Sequence, residues 1–288
     1  MGVHSGKFGT IDGINTVRQW SINDAGETKP YVASNTLGGT GRRRGNEDWS
    51  GTANCYGCRP PVMPGDPLAF VGYTAPSDDV EGSNGARYSG DAMVNQVAIS
   101  WNWEAGDPLS YVLNFEGNGV LSGAPGAAVP DATFPDVPVI IGRPMLWGAV
   151  DAAPGSSEYE ELDDVQSASL TITTANPSYV NSSTSGGTRR KAGNVDWTLA
   201  ITMHNEGGID LPFSKGDLIG VLLPSGVDDE YWDLRWGIVK DFTGITVDRE
   251  GGAIISATVN IEMAGFDHDN EEVGHIIDPD GNTYWPAA

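Results

Sequence analysis

Cysteine is almost missing from this chain: Cys55 and Cys58, spaced as CYGC, are the two among 288 residues. A disulfide scaffold is thereby excluded. A lone CxxC has no second pair to complete a zinc site, and no βαβ pattern surrounds it as in a redox motif. The two are read as small residues of a strand and its turn. Histidine is also scarce, and His4, His204, His268 and His275 show no ligand spacing and supply few general bases. Basic residues are in deficit, 16 against 39 acidic, for a net charge of −23. The imbalance is −6 over residues 1–150 and −17 over residues 151–288. Such a surface repels polyphosphates at long range and excludes a nucleic-acid grip. No apolar run approaches the ~18 residues of a membrane span. The opening MGVHSGKFGTIDG has no apolar signal core, and Gly6 stands where a myristoylation signal has Ser or Thr. A soluble protein without membrane contact, made in the cytoplasm, is expected.

Catalytic motifs are absent too. There is no GxSxG elbow, HExxH helix, P-loop or GxGxxG turn. The acid pairs Asp78-Asp79, Asp228-Asp229 and Glu271-Glu272 sit in Gly/Ser-rich or polar stretches and read as solvated loop charge. DPDGN (Asp278–Asn282) has a Pro at a spacer position and no bidentate Glu at the right distance, so a turn is expected instead of a calcium loop. The chain is not expected to be an enzyme, and no catalytic, cofactor or metal residue is assigned.

What is present is glycine (39), proline (18) and a large aromatic content of nine Trp, nine Tyr and seven Phe. With no sustained 3.6-residue periodicity, these indicate an ordered, mostly β protein with many turns and few short helices. The sequence also repeats itself. Sliding it by 148 residues aligns Val17–Trp49 with Val165–Trp197 without a gap, and 14 of 33 positions are identical. The signature GGTGRRRGNEDW (Gly38–Trp49) thus returns as GGTRRKAGNVDW (Gly186–Trp197). LNFEGNG (Leu113–Gly119) returns as VNIEMAG (Val259–Gly265), and MPGDPLAF (Met63–Phe70) lies opposite SKGDLIGV (Ser214–Val221).

Period-2 alternation marks the strands. Trp197, Leu199, Ile201 and Met203 share one face; the first copy keeps Trp49 but continues with Gly51, Ala53 and Cys55, so its core is filled differently. Val97, Ile99, Trp101 and Trp103 alternate likewise, as do Leu113 and Phe115. Trp20, Trp49 and Trp197 are expected in the core. Trp101 and Trp103 could instead form a carbohydrate platform, although a core strand has the same spacing. Two tandem related β-sandwich or barrel domains follow: residues 1–124, an Ala/Pro/Gly-rich linker at 125–138, residues 139–266, and a C-terminal extension at 267–288 outside the repeat. The acidic SSEYEELDD (Ser156–Asp164) is expected to be a short helix or an acidic loop.

The opening GKFGTIDGINTVRQWSIND resembles the N-terminal strands of phage tail tube proteins. ASNTLGGTGRRRGNEDWSGTANCYGCRPPVMPGDPLAF is similar to a pattern of the same group: a Gly/Arg-rich loop, GN-x-DW-x-G, a Tyr-Gly and a Pro-Gly. The second copy keeps the loop and GN-x-DW but not the Tyr-Gly. The resemblance implies a virion protein of the phage tail that polymerises into stacked rings, with three duplicated chains forming a pseudo-sixfold ring. Tape-measure, terminator and baseplate proteins are the implied partners, and DNA passes the lumen without specific binding. Asn114, Glu116, Asn260 and Glu262, opposite the apolar face, would line that lumen or face outer solvent. A capsid decoration or neck protein and a carbohydrate-binding module remain as alternatives.

The basic cluster Arg42, Arg43 and Arg44 and its counterpart Arg189, Arg190 and Lys191 occur twice, which argues against a single ligand site. On an acidic protein, a Gly-flanked basic loop is expected to pair with acidic faces of neighbouring domains.

Overall fold

Strands whose alternate residues are apolar hide one face, and β7 (Ser110–Gly117) does so with Tyr111, Leu113, Phe115 and Gly117 buried. The computed structural model describes residues 2–6, 8–11, 16–32, 40–74, 86–103, 108–125, 144–149, 159–181, 188–205, 211–227, 230–248, 254–264 and 274–284. The other strands of the first half are β1 (Gly2–Gly6), β2 (Phe8–Ile11), β3 (Val17–Tyr31), β4 (Gly41–Tyr56), β5 (Pro67–Tyr73), β6 (Ala86–Asn102) and β8 (Ser122–Pro125). The second half contributes β9 (Leu146–Ala149), β10 (Glu160–Glu161), β11 (Val165–Thr174), β12 (Ser178–Tyr179), β13 (Arg189–Arg190) and β14 (Val195–Asn205). It continues with β15 (Leu218–Pro224), β16 (Tyr231–Asp248), β17 (Ile254–Met263), β18 (His275–Ile277) and β19 (Thr283–Tyr284). The protein is all-β, and the described residues contain no helix.

The same strand neighbours recur in each half. β3 pairs β4, β4 pairs β7, β7 pairs β6 and β6 pairs β5; β11, β14, β17, β16 and β15 follow the same order. Register recurs as well. Ser50 lies opposite Glu116, and Thr198 opposite Glu262; Trp20 lies opposite Ala53, and Ala168 opposite Ile201. Register shifts fall at matching places, between Val17 and Gln19 and between Val165 and Ser167. The turn before β5 is repeated too. Asp66 accepts from Met63 N at 2.8 Å, Asp217 accepts from Ser214 N at 2.7 Å, and Gly65 and Gly216 follow with φ of 97° and 94°.

The halves do not form separate sheets. The last part of β6 pairs with β11, from Gln96 opposite Thr173 to Asn102 opposite Ser167, so that 17 strands are continuously hydrogen-bonded. β12 and β13 form a small separate ladder. One apolar cluster draws on both halves, including Trp20, Trp49, Trp101, Trp197 and Trp232.

Two expectations change. Within Ser156–Asp164, Glu160 and Glu161 form β10 against Trp147 and Leu146 of β9, because the open β9 edge offers backbone partners. The tail beyond Phe266 is partly built into the second half: β18 lies on Asp233–Arg235 of β16, much as β8 lies on Ala86–Ser89 of β6. Linker residues 126–138, residues 139–143 at the start of the second half, and the acid pairs Asp78-Asp79, Asp228-Asp229 and Glu271-Glu272 lie outside the described residues.

The two halves use different volumes at equivalent places of this core. Gly51 opposes Phe115, whereas Leu199 opposes Ile261. A Cβ on Gly51 would lie 2.4 Å from the Phe115 ring. Gly51→Ala is therefore expected to cost about 1–3 kcal/mol through overpacking. Adding Phe115→Ile, the second half's solution, should recover part of the urea midpoint; no recovery would refute the complementary-volume account.

Candidate functional site

The twice-repeated arginines lie on hairpins whose registers match. Arg42 pairs with Pro30 between β4 and β3, and Arg190 pairs with Ser178 between β13 and β12. Glycine-rich and polar residues precede both, but Arg42, Arg43 and Arg44 lie within β4 and Arg189 and Arg190 form β13. Only the backbone of Arg42, Arg43 and Arg44 belongs to the described part of the structure.

Arg190 reaches back across the molecule to the first half. Its Nη2 donates to both carboxylate oxygens of Asp48, at 3.1 and 3.2 Å. Its Nε lies 2.8 Å from Glu116 Oε2 as a charge contact, and Nη1 donates to the carbonyl of Gly117. The Arg190 side chain is only 8% exposed. Burying a lone guanidinium in this way would cost several kcal/mol, and two carboxylates with a carbonyl offset that cost. The backbone assists: Arg190 N donates to Asn118 Oδ1 at 3.0 Å, Arg189 Nη1 to Asn118 O at 2.8 Å, and Thr188 N to Glu47 O at 3.2 Å. Lys191 is exposed, and its backbone N donates to Pro177 O.

The four polar strand residues are not equivalent. Glu116 is held by Arg190, while Asn114 accepts from Thr52 and donates to Gln96. In the second half, Glu262 meets the exposed ammonium of Lys240, and Asn260 donates to Asp241 Oδ1 at 2.6 Å. Glu262 raises the Lys240 pKa through that hydrogen bond and its charge. Ser169, Thr171, Thr198, Lys240, Asn260 and Glu262 line an open groove of about 300 Å³.

Trp20, Trp49 and Trp197 are buried. Trp101 is also buried, and its indole N–H donates to Pro224 O at 2.8 Å, so it presents no face to a sugar. Trp103 packs half-buried against the core. Asp278 accepts from Asp280 N, Asn282 N and Tyr284 Oη, which uses its oxygens within a turn. No metal-binding group of His, Cys, Asp and Glu occurs among the described residues. Among them, no helix is long and apolar enough to cross a membrane.

A second seam joins the halves around Cys58. Its thiol donates to Ser225 O at 2.6 Å, and Trp232 Nε1 donates to Cys58 O at 2.9 Å. Arg59 pairs with Glu230 and Asp280 beside it. Burial pushes the thiols of Cys55 and Cys58 up from 9.0 to about 12. Neither joins a disulfide. Nearby in the second half, Arg235 binds the buried Asp233, and burial with the Asp233 charge pushes Tyr159 up to about 12. Each charged group here has a structural partner.

No family model and no curated protein matches the chain.

Sequence reading did not foresee that Arg190 would meet Asp48 and Glu116. A signal for this contact was present. Within the aligned stretches 17–49 and 113–119, the charged residues identical in both copies are Arg42, Asp48 and Glu116. Their counterparts are Arg190, Asp196 and Glu262, so each half carries one donor and two acceptors.

Arg190→Ser should destabilise the fold by about 2 kcal/mol, less than loss of a fully buried pair because Asp48 and Glu116 retain water. Arg190→Lys should restore only part, since an ammonium cannot fork across the same acceptors. Urea unfolding checks both, and full rescue by Lys would contradict the forked contact. For the thiols, a maleimide at pH 8 should label neither in the native protein and both in urea. Their raised native pKa makes this contribution to stability complete below pH 9 and lost as pH climbs toward 12. Rapid native labelling would show that the thiols are accessible.

Proposed function

We propose that the protein is a structural virion subunit that assembles head to tail into stacked rings, forming a phage tail tube through which DNA leaves. It consists of two duplicated tube domains, and three chains supply the six domains of a ring. The observation that carries this reading is the contact between its halves. One half offers the edge of β6 with Asp48 and Glu116, and the other offers β11 with Arg190. These surfaces differ, so the contact is heterologous, the kind that closes a ring when repeated.

Stacking finds support in the hairpin ends, where Tyr31 and Val32, and equivalently Tyr179 and Val180, are exposed apolar residues. Repeated exposed apolar pairs suit contact with another ring. The net charge of −23 suits a conduit that must not retain DNA, because acidic walls repel phosphates. Localisation in the phage tail, and tape-measure, terminator and baseplate proteins as partners, follow from the same reading.

Electron microscopy of the purified protein tests it. Rings or tubes with three chains per turn are expected. Six chains per ring would refute the pseudo-sixfold arrangement, and persistent monomers at high concentration would refute assembly.

A further inference from the structure

The first half's acceptor is filled by Arg190, whereas its equivalent in the second half is met, at Glu262, by the exposed Lys240. Asp48 and Glu116 correspond to Asp196 and Glu262, and the opposed pairs Ser50–Glu116 and Thr198–Glu262 place both glutamates at the same register position. Around Arg190 the floor includes Asn23, Ser50 and Glu116. Their equivalents Thr171, Thr198 and Glu262 line the open groove of about 300 Å³. Asp196 is exposed, and Glu262 meets only the exposed Lys240 among the described residues.

The strand edges tell the same story. Within the chain, β6 from Gln96 to Asn102 holds β11. The register shift between Val94 and Gln96 recurs between Val239 and Asp241, which fixes Asp241 of β16 as the equivalent of Gln96. Beyond Asp241, β16 pairs with β17 on one side, and no described strand covers its other side. Gly244, with φ 64°, lies in a bulge between Thr243 and Thr246. The bulge bends this edge and limits indiscriminate strand addition.

We infer that a second copy of this chain docks there, inserting its Arg42 between Asp196 and Glu262 and laying its β3 along the outer edge of β16. Arg42 is the residue whose hairpin register matches that of Arg190. The β3 segment required, Trp20–Asp24, corresponds to the Ala168–Ile172 stretch of β11 that β6 holds. In the single chain β1 covers this segment, with Gly6 opposite Trp20 and Gly2 opposite Asp24. β1 is therefore a stand-in strand that leaves its edge when the neighbouring copy arrives. The acceptor changes its cation at the same time, exchanging the exposed Lys240 for an incoming guanidinium that can fork between two carboxylates.

This inference rests on the ring reading, and charge exchange separates the two. Arg42→Glu in one variant, and Asp196→Arg with Glu262→Arg in another, should each lower ring yield about tenfold or more by placing like charges together. The chain carrying all three changes should regain rings, a rescue that general misfolding cannot produce. Val3→Pro with His4→Pro removes both adjacent donors of β1 and should speed ring formation. Rings that form normally in both charge variants, or triple variants that remain monomeric, would overturn the docking while leaving ring assembly intact. An unchanged assembly rate in the proline variant would overturn the role of β1. A wild-type protein that forms no rings would overturn both the docking and the assembly reading.

Discussion

The placement of one guanidinium governs how the halves meet. Arg190 is nearly sealed from solvent, and a charge in that position is tolerable only with partners fixed at its planar fork. Asp48 comes from β4, while Glu116 and the Gly117 carbonyl come from β7. The contact therefore requires β4 and β7 to be neighbours in one register. It also requires the β12–β13 hairpin to lean over them. The β6–β11 ladder, running alongside, makes that arrangement continuous with the main sheet. Backbone pairing gives the halves their direction, and the guanidinium makes sliding by one residue costly, because a slip would strand a buried cation.

This seam gives one of the two basic clusters of an acidic chain its acidic partners. The acceptors Asp48 and Glu116 recur as Asp196 and Glu262, and the donor Arg42 recurs as Arg190. Inside the chain one such match is complete. The other donor, Arg42, and the other acceptor, Asp196 with Glu262, lie on opposite halves. The apolar interior behaves differently, since it tolerates exchange. Gly51 with Phe115 and Leu199 with Ile261 fill equivalent places with different shapes. The charged residues of the contact are, by contrast, identical in both copies.

Much of the fold was legible in the sequence. Period-2 alternation in Leu113–Phe115 and in Trp197–Met203 gave strands that the structure contains, since burial of one face imposes that period directly. The all-β class followed from glycine, proline and the missing helical period. The candidate site was visible only in pieces. Arginines stood out as a cluster, and Glu116 and Glu262 stood out as polar residues on apolar strands, but nothing local joined them. Glu160–Glu161 and His275–Ile277 became strands because an open edge lay nearby, information that neither segment carries in its own residues.

The sequence by itself determined the secondary-structure class, the repeat and the charge of each half, because these depend on residue type and spacing along one chain. Tertiary structure alone decided which partner each repeated residue took. Arg42 and Arg190 share a sequence context and a hairpin register, yet Arg190 is committed to Asp48 and Glu116 because β6 and β11 bring those strands under it. Contacts across 70 or more residues of chain arise from sheet order, and sheet order is a property of the whole fold, which no local pattern encodes.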